Sequence, residues 1–484
     1  MTAHIVLTPR FRPLLAALSL SSLLMAGTAH ATAPCEAKPC PTQWVGMDAT
    51  QEKAVMRFAK DYKRFINLAR TETTTVTQTV KLARAAGFKP WHIGAKLTPG
   101  AKYYDVNRDR SMTLFIIGED KLETGAHISV SHIDSPRLEL KGRPLYGKSG
   151  FALFQTNYHG GIKNYQWTNV PLALMGHVDR KDGTRVQISV GLKPDDPIFV
   201  IPGLSPHVDV DLRGRKNRDV IKAEEMDPIV GHREKNTKEG AKALVTSYLR
   251  ETYNIGLDDL VSAELALVPA YAPHDLGFDR TLIAAYGQDD RLSAYASIRA
   301  ILEAKTPKKT AFVWLADNEE VGNRNNTGAH STYFIDLYSD LLLEQMGDRY
   351  REPYLRRALR ASRVVSTDVN PGINPIWPSA WEAGNAPRHS QGVNLKVYGK
   401  GNNANSEYIA WIRAMLDDAG IPWQTATYKV GKGGGGTLGG ELSHYNMDVV
   451  DFGVPVLSIH TPYAISSKVD LYWLYKANAA FIGK

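Results

Sequence analysis

The chain has 484 residues, of which 43% are hydrophobic and 22% are charged, and its formal net charge is +8. This length favours two domains over one, and the composition is that of an ordinary soluble globular protein. The positive charge is spread along the sequence without long basic runs or interleaved aromatic residues. We therefore interpret the positive charge as an aid to solubility. Because the charge is not clustered, we do not expect the protein to bind nucleic acid.

The N-terminal segment has the pattern of a secretory signal peptide. Arg10 and Arg12 precede an apolar stretch that is too short to span a bilayer comfortably, and Ala29 and Ala31 frame a small-x-small cleavage pattern. We expect residues 1–31 to be removed and the protein to be exported, to the periplasm or outside the cell. An uncleaved membrane anchor is the alternative. No other stretch is long and apolar enough for stable membrane insertion after cleavage.

The two cysteines, Cys35 and Cys40, follow the predicted cleavage site closely. In an exported protein they could close a small disulfide loop, whose stabilising effect would be local. A zinc site built from these two cysteines alone is not expected.

The first half of the chain predicts helices followed by strands. Residues 51–86 repeat apolar residues at helical spacing, and Gly87 and Pro90 end the pattern. Five features follow in chain order: strands at 111–118 and 127–136, alternating segments at 170–178 and 184–190 that indicate a hairpin, and a polar stretch at about 201–240 that indicates a surface loop or lid.

From about residue 275 the pattern alternates between helix and strand. The predicted helices are 293–304, 354–362 and 406–420, and the predicted strands are 310–317, 364–369 and 454–460. This alternation predicts an α/β fold with a mixed, mainly parallel sheet flanked by helices, and with the β-rich segment inserted into it. The run "GKGGGG" at 431–436 indicates a flexible loop.

Acids and histidines collect where predicted strands end. Because the carboxyl ends of strands in an open α/β sheet face one crevice, these residues could converge. They are His132, Asp134, Asp289, Asp290, Glu319, Glu320, Asp368 and His460.

This mixture of imidazoles and carboxylates suits zinc, with Mn²⁺ or Co²⁺ as substitutes. A pair of metals about 3.5–4 Å apart needs one bridging carboxylate and further ligands on each side. Glu319, next to a ligand, could take a proton from water, and Asp134 could fix the ring of His132. Asp317 has no assigned role. The candidate ligands are His132, Asp289, Glu320, Asp368 and His460.

Each signal also has an ordinary structural explanation. His132 and Asp134 could form a simple polar pair, and His460 could be a core histidine. Asp289 and Asp290 could cap a helix, Asp368 could belong to a turn, and paired glutamates are usually solvated. The joint occurrence of all of them in one chain favours a metal site.

The ordered motifs resemble the aspartyl aminopeptidase family of di-zinc exopeptidases. They are His-x-Asp-Ser-Pro at 132–136, Asp-Asp-Arg at 289–291, Glu-Glu-Val-Gly at 319–322, a strand ending in Asp368, and His-x-Pro at 460–462. The segment "GGIKNYQWTNVPLALMGHV" at 160–178 is also similar to that family. The resemblance covers about residues 128–480.

The resemblance implies two Zn²⁺ per subunit. His132 and Asp368 would bind one, Glu320 and His460 the other, and Asp289 would bridge them. Glu319 would be the general base and Asp134 would orient His132.

The resemblance also implies the domain plan. Residues 32–136 and 273–484 would form the catalytic domain, and residues 137–272 an inserted β-rich domain for assembly and substrate access. Family members form homo-oligomers, so a dodecamer is the candidate assembly. The chain departs from the family at Asp290, where eukaryotic members have Asn, and at Ala464, where an acid is expected.

We therefore predict a metal-dependent aminopeptidase that removes N-terminal residues from peptides. The preferred residue stays open. One alternative is a catalytically silent periplasmic peptide-binding or scaffolding protein on the same fold, which would have no need for Glu319. Another is a glycoside hydrolase that uses Glu319 or Glu320 with a second acid, which would leave His132 and His460 without a role.

Overall fold

The computed structural model of the protein describes residues 41–234, 240–398 and 402–484. The predicted signal peptide at 1–31 and both cysteines lie outside the described residues. Among the helices in the described ranges, none combines the length and apolar character that a membrane span requires.

Two helices open the described chain, α1 (Ala49–Leu68) and α2 (Glu72–Ala85). The sequence predicted one helical segment over 51–86, and the structure interrupts it. Thr71 is the reason, because its side chain accepts the backbone N–H of Thr74 and so begins a new helix.

The remaining elements of the first half include most of the β-structure. The strands are β1 (Lys89–Pro90), β2 (Lys102–Asn107), β3 (Ser111–Ile116), β4 (His127–His132), β5 (Arg137–Lys148), β6 (Phe151–His159), β7 (Leu172–Asp179), β8 (Arg185–Val190), β9 (Ile229–Gly231) and β10 (Ala263–Pro269). The helices are α3 (Val210–Arg213) and α4 (Lys242–Tyr253).

The second half alternates as predicted. Its helices are α5 (Gln288–Glu303), α6 (Tyr333–Met346), α7 (Glu352–Arg360), α8 (Ser406–Asp418), α9 (Gly439–Ser443) and α10 (Lys468–Gly483). Its strands are β11 (His274–Leu276), β12 (Leu282–Ala285), β13 (Ala311–Ala316), β14 (Arg363–Thr367), β15 (Asn370–Pro371), β16 (Val393–Lys396), β17 (Trp423–Thr425), β18 (Asp448–Gly453), β19 (Pro455–Leu457) and β20 (Ala464–Ser467).

The main sheet has nine strands in the order β1-β2-β3-β13-β4-β14-β18-β16-β17. Its centre, β13-β4-β14-β18, is parallel throughout, whereas β2-β3, β3-β13 and β18-β16 pair antiparallel. The predicted mixed, mainly parallel sheet is therefore confirmed.

Both faces of the main sheet are buried. Alternate residues of β13 contribute to two different apolar clusters: Val313 and Leu315 pack with α1, α5 and α10, whereas Phe312 and Trp314 pack with α6 and α7. Continuous burial of a strand is what a parallel sheet covered by helices requires, and it explains the uninterrupted apolar run "AFVWLA".

Two smaller sheets complete the fold. A six-stranded sheet, β8-β7-β10-β5-β6-β9, is antiparallel throughout, and all its strands lie between Arg137 and Pro269. A five-stranded sheet joins β11-β12-β20-β19-β15. The predicted strand at 454–460 is wrong in its extent, because β19 ends at Leu457 and the chain then turns, with His460 at φ 65°.

Candidate metal centre

His132 is the last residue of β4, and its side chain is only 1% exposed. Its Nδ1 lies 3.2 Å from Oδ1 of Asp134 and 3.1 Å from the Asp134 carbonyl oxygen. Its Nε2 lies 3.2 Å from Oδ1 of Asp289. The contacts to Asp134 fix the ring so that Nε2 points towards the other acids.

Asp134 also holds the turn that follows β13. It is fully buried, and its two oxygens accept the backbone N–H groups of Glu319 and Glu320, each at 3.1 Å. Burial raises the pKa of Asp134, but hydrogen bonds from His132 and His159 outweigh that effect and hold the pKa well below its usual range. Asp134 is therefore an anion that organises one histidine and two glutamates.

Asp289 lies between the two candidate histidines. Its Oδ1 is 3.2 Å from Nε2 of His132, and its Oδ2 is 3.2 Å from Nε2 of His460. Ser135 donates a hydrogen bond to the Asp289 carbonyl oxygen and so fixes the backbone there. Each oxygen of this one carboxylate thus faces a different imidazole.

His460 occupies the turn after β19 and is more open than His132, with 36% of its side chain exposed. Its Nδ1 donates to the carbonyl oxygen of Gly161 at 2.6 Å, and its Nε2 lies 3.3 Å from Oε2 of Glu320. Burial lowers the pKa of His460, but hydrogen bonds to Asp289 and Glu320 raise it to about 11.

Asp368 follows β14, and its Oδ1 lies 3.8 Å from Nε2 of His132. Asp290 is fully buried and shares a group with His132 and Asp368 in which potential ligand atoms lie within 4.8 Å of one another. The sequence analysis gave Asp290 no role in the metal site, so the structure adds a carboxylate beside His132 and Asp368.

Glu319 and Glu320 differ in their surroundings. Glu320 has a 4% exposed side chain beside His460, whereas the Glu319 side chain is 17% exposed and its Oε2 lies 3.9 Å from Nε2 of His132. Burial raises the pKa of Glu319 to about 8, and the charges of Asp368, Glu320 and Asp289 add to this effect.

The donor set fits a cation. Within the described residues, Oδ1 of Asp368 and Oε1 of Glu320 are buried without a hydrogen-bond partner. Burial also raises the pKa of Asp368 to about 7, with Asp289 adding to it. Buried carboxylate oxygens without donors are costly unless a positive charge compensates them, and the histidine and carboxylate donors match the preference of Zn²⁺.

Asp317, which the sequence left without a role, closes the loop that carries the two glutamates. Its Oδ1 accepts the backbone N–H of Asn318 at 2.8 Å, and its Oδ2 accepts the hydroxyl of Thr327 at 2.8 Å. It is 2% exposed. These two hydrogen bonds shape the turn.

The sequence analysis missed two further residues near the site. His159 is buried and lies 2.8 Å from Oδ2 of Asp134, and Lys396 is buried at the end of β16 near Asp368. Burial lowers the pKa of Lys396, but the charge of Asp368 raises it above its ordinary value. The one available signal for His159 was its place directly before the Gly160–Gly161 pair of the family segment.

All the candidate site residues therefore converge in one cluster, although their individual roles stay predictions. His132, Glu319, Glu320 and Asp368 follow neighbouring strands of the main sheet. Asp289 comes from the first turn of α5, and His460 lies in the turn between β19 and β20 of the five-stranded sheet.

Comparison with known proteins identifies the family of the chain. The sequence profile of the family described as Aminopeptidase I zinc metalloprotease (M18) matches residues 65–482. A probable M18 family aminopeptidase 1 from Clostridium acetobutylicum is 39% identical over 453 residues, which cover 91% of this chain and 97% of the relative.

Comparison with solved structures also finds aminopeptidases of this family. The crystal structure of an M18 aminopeptidase from Thermotoga maritima has a TM-score of 0.88 at 36% identity and covers 92% of this chain and 99% of that chain. The mApe1 dodecamer of S. cerevisiae shares the fold, with a TM-score of 0.71 at 20% identity over 87% of this chain and 95% of that chain. The family resemblance of the sequence is confirmed, and the glycoside hydrolase alternative is wrong. The chain belongs to the M18 family of zinc metalloproteases and is an aminopeptidase.

Proposed function

We propose that this aminopeptidase binds two zinc ions with Asp289 between them. His132 and Asp368 would hold one ion, and Glu320 and His460 the other. The observation that carries this proposal is the placement of the two Asp289 oxygens, each 3.2 Å from Nε2 of a different histidine. One carboxylate that faces two ligand groups is what a two-metal site requires.

When bound, zinc ions in such a site polarise the peptide carbonyl and make water a better nucleophile. Glu319 takes the proton from the attacking water and delivers it to the amine that leaves. Its carboxylate lies beside the ligands without a predicted ligand role, which leaves it free to accept a proton and to return it. A protein that only binds peptides would have no need for this carboxylate.

Asp134 acts through its neighbours. It orients the His132 ring through Nδ1 and holds the backbone of Glu319 and Glu320, so that base and ligands keep their relative positions.

The substrates we propose are peptides with a free N-terminus. Residues 137–272 would serve assembly and substrate access, which is supported by the separate antiparallel sheet in this range. A homo-oligomer, with the dodecamer as the candidate, is supported by the shared fold with the mApe1 dodecamer. Export after removal of residues 1–31 rests on the N-terminal pattern alone.

The test is Glu319→Gln, with Glu407→Gln on the exposed surface of α8 as the matched control. We expect kcat on aminoacyl-nitroanilides to fall about 10²–10⁴-fold in Glu319→Gln, the range for loss of a general base, while elemental analysis still finds two zinc ions. The control should keep full activity. Unchanged turnover in Glu319→Gln with metal bound would show that Glu319 is not the base.

A further inference from the structure

Three consecutive residues at the end of β6 contact both halves of the metal centre. His159 contacts Asp134, which holds His132. Gly160 lies against Glu320, and the carbonyl oxygen of Gly161 accepts the hydrogen bond from His460. This segment begins at the last residue of β6 in the six-stranded sheet, whereas the candidate ligands lie at the ends of strands of the other two sheets, in the turns that follow them, and in α5.

The His159 ring is enclosed between two carboxylates. It is 3% exposed, its Nε2 lies 2.8 Å from Oδ2 of Asp134, and its Nδ1 lies 3.0 Å from Oε1 of Glu139. An ionised carboxylate only accepts hydrogen bonds, so both ring nitrogens must carry protons. His159 is therefore an imidazolium that bridges two anions.

Glu139, the second carboxylate that contacts His159, is itself held by a charged neighbour. Oε1 of Glu139 lies 2.9 Å from the guanidinium of Arg137, which in turn lies 3.0 Å from Oε2 of Glu72 on α2. Burial lowers the pKa of His159, and so does Arg137, but the hydrogen bonds to Asp134 and Glu139 raise it to about 9. The charge on His159 is thus maintained near neutral pH, and the ring cannot rotate without breaking charged hydrogen bonds.

We propose that His159 is a positioning residue for the aminopeptidase reaction: through Asp134 it holds His132 and the turn of Glu319 and Glu320 in the geometry that metal binding requires. This inference rests on the proposed function, in which His132 is a ligand and Asp134 its orienting partner. The six-stranded sheet then contributes to the metal centre of its own chain, in addition to any role in assembly.

Three substitutions at position 159 test the two hydrogen bonds of the His159 ring separately. The amide nitrogen of Gln at position 159 can replace Nε2 and keep the bond to Asp134. The shorter Asn can replace only Nδ1, which faces Glu139, and Leu replaces neither. If His159 acts through Asp134, His159→Gln should retain most of the function, whereas His159→Asn and His159→Leu should lose it.

The expected loss in His159→Asn and His159→Leu is about 10–100-fold in zinc affinity and in kcat, the usual effect of removing a partner of a ligand, with KM nearly unchanged. Zinc affinity is measured by competition with a chromophoric chelator, which needs no turnover. The matched control is His177→Gln, because His177 is also a buried histidine of this sheet with acidic neighbours, and its ion-pair partners among the described residues are Asp179 and Glu264, neither of which is a candidate ligand. The control should keep wild-type zinc affinity and kcat.

A double-mutant cycle with Asp134→Asn tests whether His159 affects zinc binding through Asp134. If His159 acts through Asp134, the variant with both His159→Leu and Asp134→Asn binds zinc no more weakly than Asp134→Asn alone. Fully additive losses, or wild-type zinc affinity in folded His159→Asn, would overturn the proposal. Failure of the proposed function is distinguishable, because then Asp134→Asn alone or Glu319→Gln would leave activity intact.

Discussion

The two histidines on either side of Asp289 are held in opposite ways. His132 ends a central strand, is 1% exposed and is fixed by the carboxylate of Asp134. His460 lies on a turn at φ 65°, is 36% exposed and is fixed by a neutral backbone carbonyl. Hydrogen bonds to charged groups in a buried setting are stronger than those to neutral groups near solvent. We infer that the His132 side is the rigid part of the centre and the His460 side the adjustable part.

The largest expected difference comes from removing each ring in metal-free protein. His132→Ala leaves buried Asp134 with His159 as its remaining histidine partner, and loss of one partner of a buried charged pair costs about 3 kcal/mol. His460→Ala removes a partly exposed ring and should cost about 1 kcal/mol. Urea unfolding in the presence of a chelator measures both. A larger loss in His460→Ala would reverse the assignment of the rigid side.

The pH dependence of the stability of the metal-free protein tests the same difference between the His132 side and the His460 side. The pKa of His460 is raised to about 11 and those of Glu319 and Asp368 to about 8 and 7. Each group binds its proton more tightly in the folded chain, so its contribution is complete below the unfolded pKa and is lost as pH rises through the folded value. Stability should therefore fall between about pH 6.5 and 9, a window that contains the raised pKa values of Glu319 and Asp368 and lies between the ordinary value of His460, 6.5, and its raised value.

Thermal unfolding with chelator at several pH values checks this expectation. His460→Ala should show a shallower fall than the unchanged protein, because one of the groups is gone. Added zinc should flatten the curve, since a bound cation replaces the protons. Rising stability over this range in metal-free protein would contradict the prediction.

The smallest difference in stability between paired variants is expected at Gly160, on the His460 side, where only zinc affinity should separate the variant from its control. Gly160 has φ +79°, and a Cβ there would lie 3.0 Å from Oε2 of Glu320. Gly160→Ala should cost about 1–2 kcal/mol from the left-handed backbone and should also displace Glu320, which weakens zinc binding. Gly183 is a matched control, because it has φ +82° and no atom within 4 Å of such a Cβ.

Gly183→Ala should therefore lose similar stability but keep zinc affinity. Unfolding in urea and chelator competition measure the two quantities separately. Equal zinc affinity in both variants would show that Glu320 tolerates the contact.

Much of this architecture was accessible from the sequence. The alternating pattern after residue 275 predicted the parallel sheet, because continuous burial imposes apolar runs such as that of β13. The strand ends predicted which acids and histidines would meet, since the carboxyl ends of β4, β13 and β14 lie side by side.

Other features depend on contacts between distant segments and left no local signal. His159 meets Asp134 only because β6 returns beside β5, and Asp290 meets Asp368 only after α5 packs on the sheet. The strand predicted to run to His460 stops at Leu457, because an apolar run does not reveal the left-handed turn at Ser458 and His460. The break between α1 and α2 was hidden because Thr71 could also occur within a helix.

The position of His460 after the other candidate ligands along the chain has a consequence for the order of synthesis. On a growing chain, His132, Asp289, Glu320 and Asp368 are all made before the strand pair β19–β20 that carries this histidine. β20 then pairs with β12, and α10 packs against α5, so the last segment of the chain closes elements made much earlier. The residue proposed as the last ligand therefore joins the others only after β19 and β20 have been made and paired.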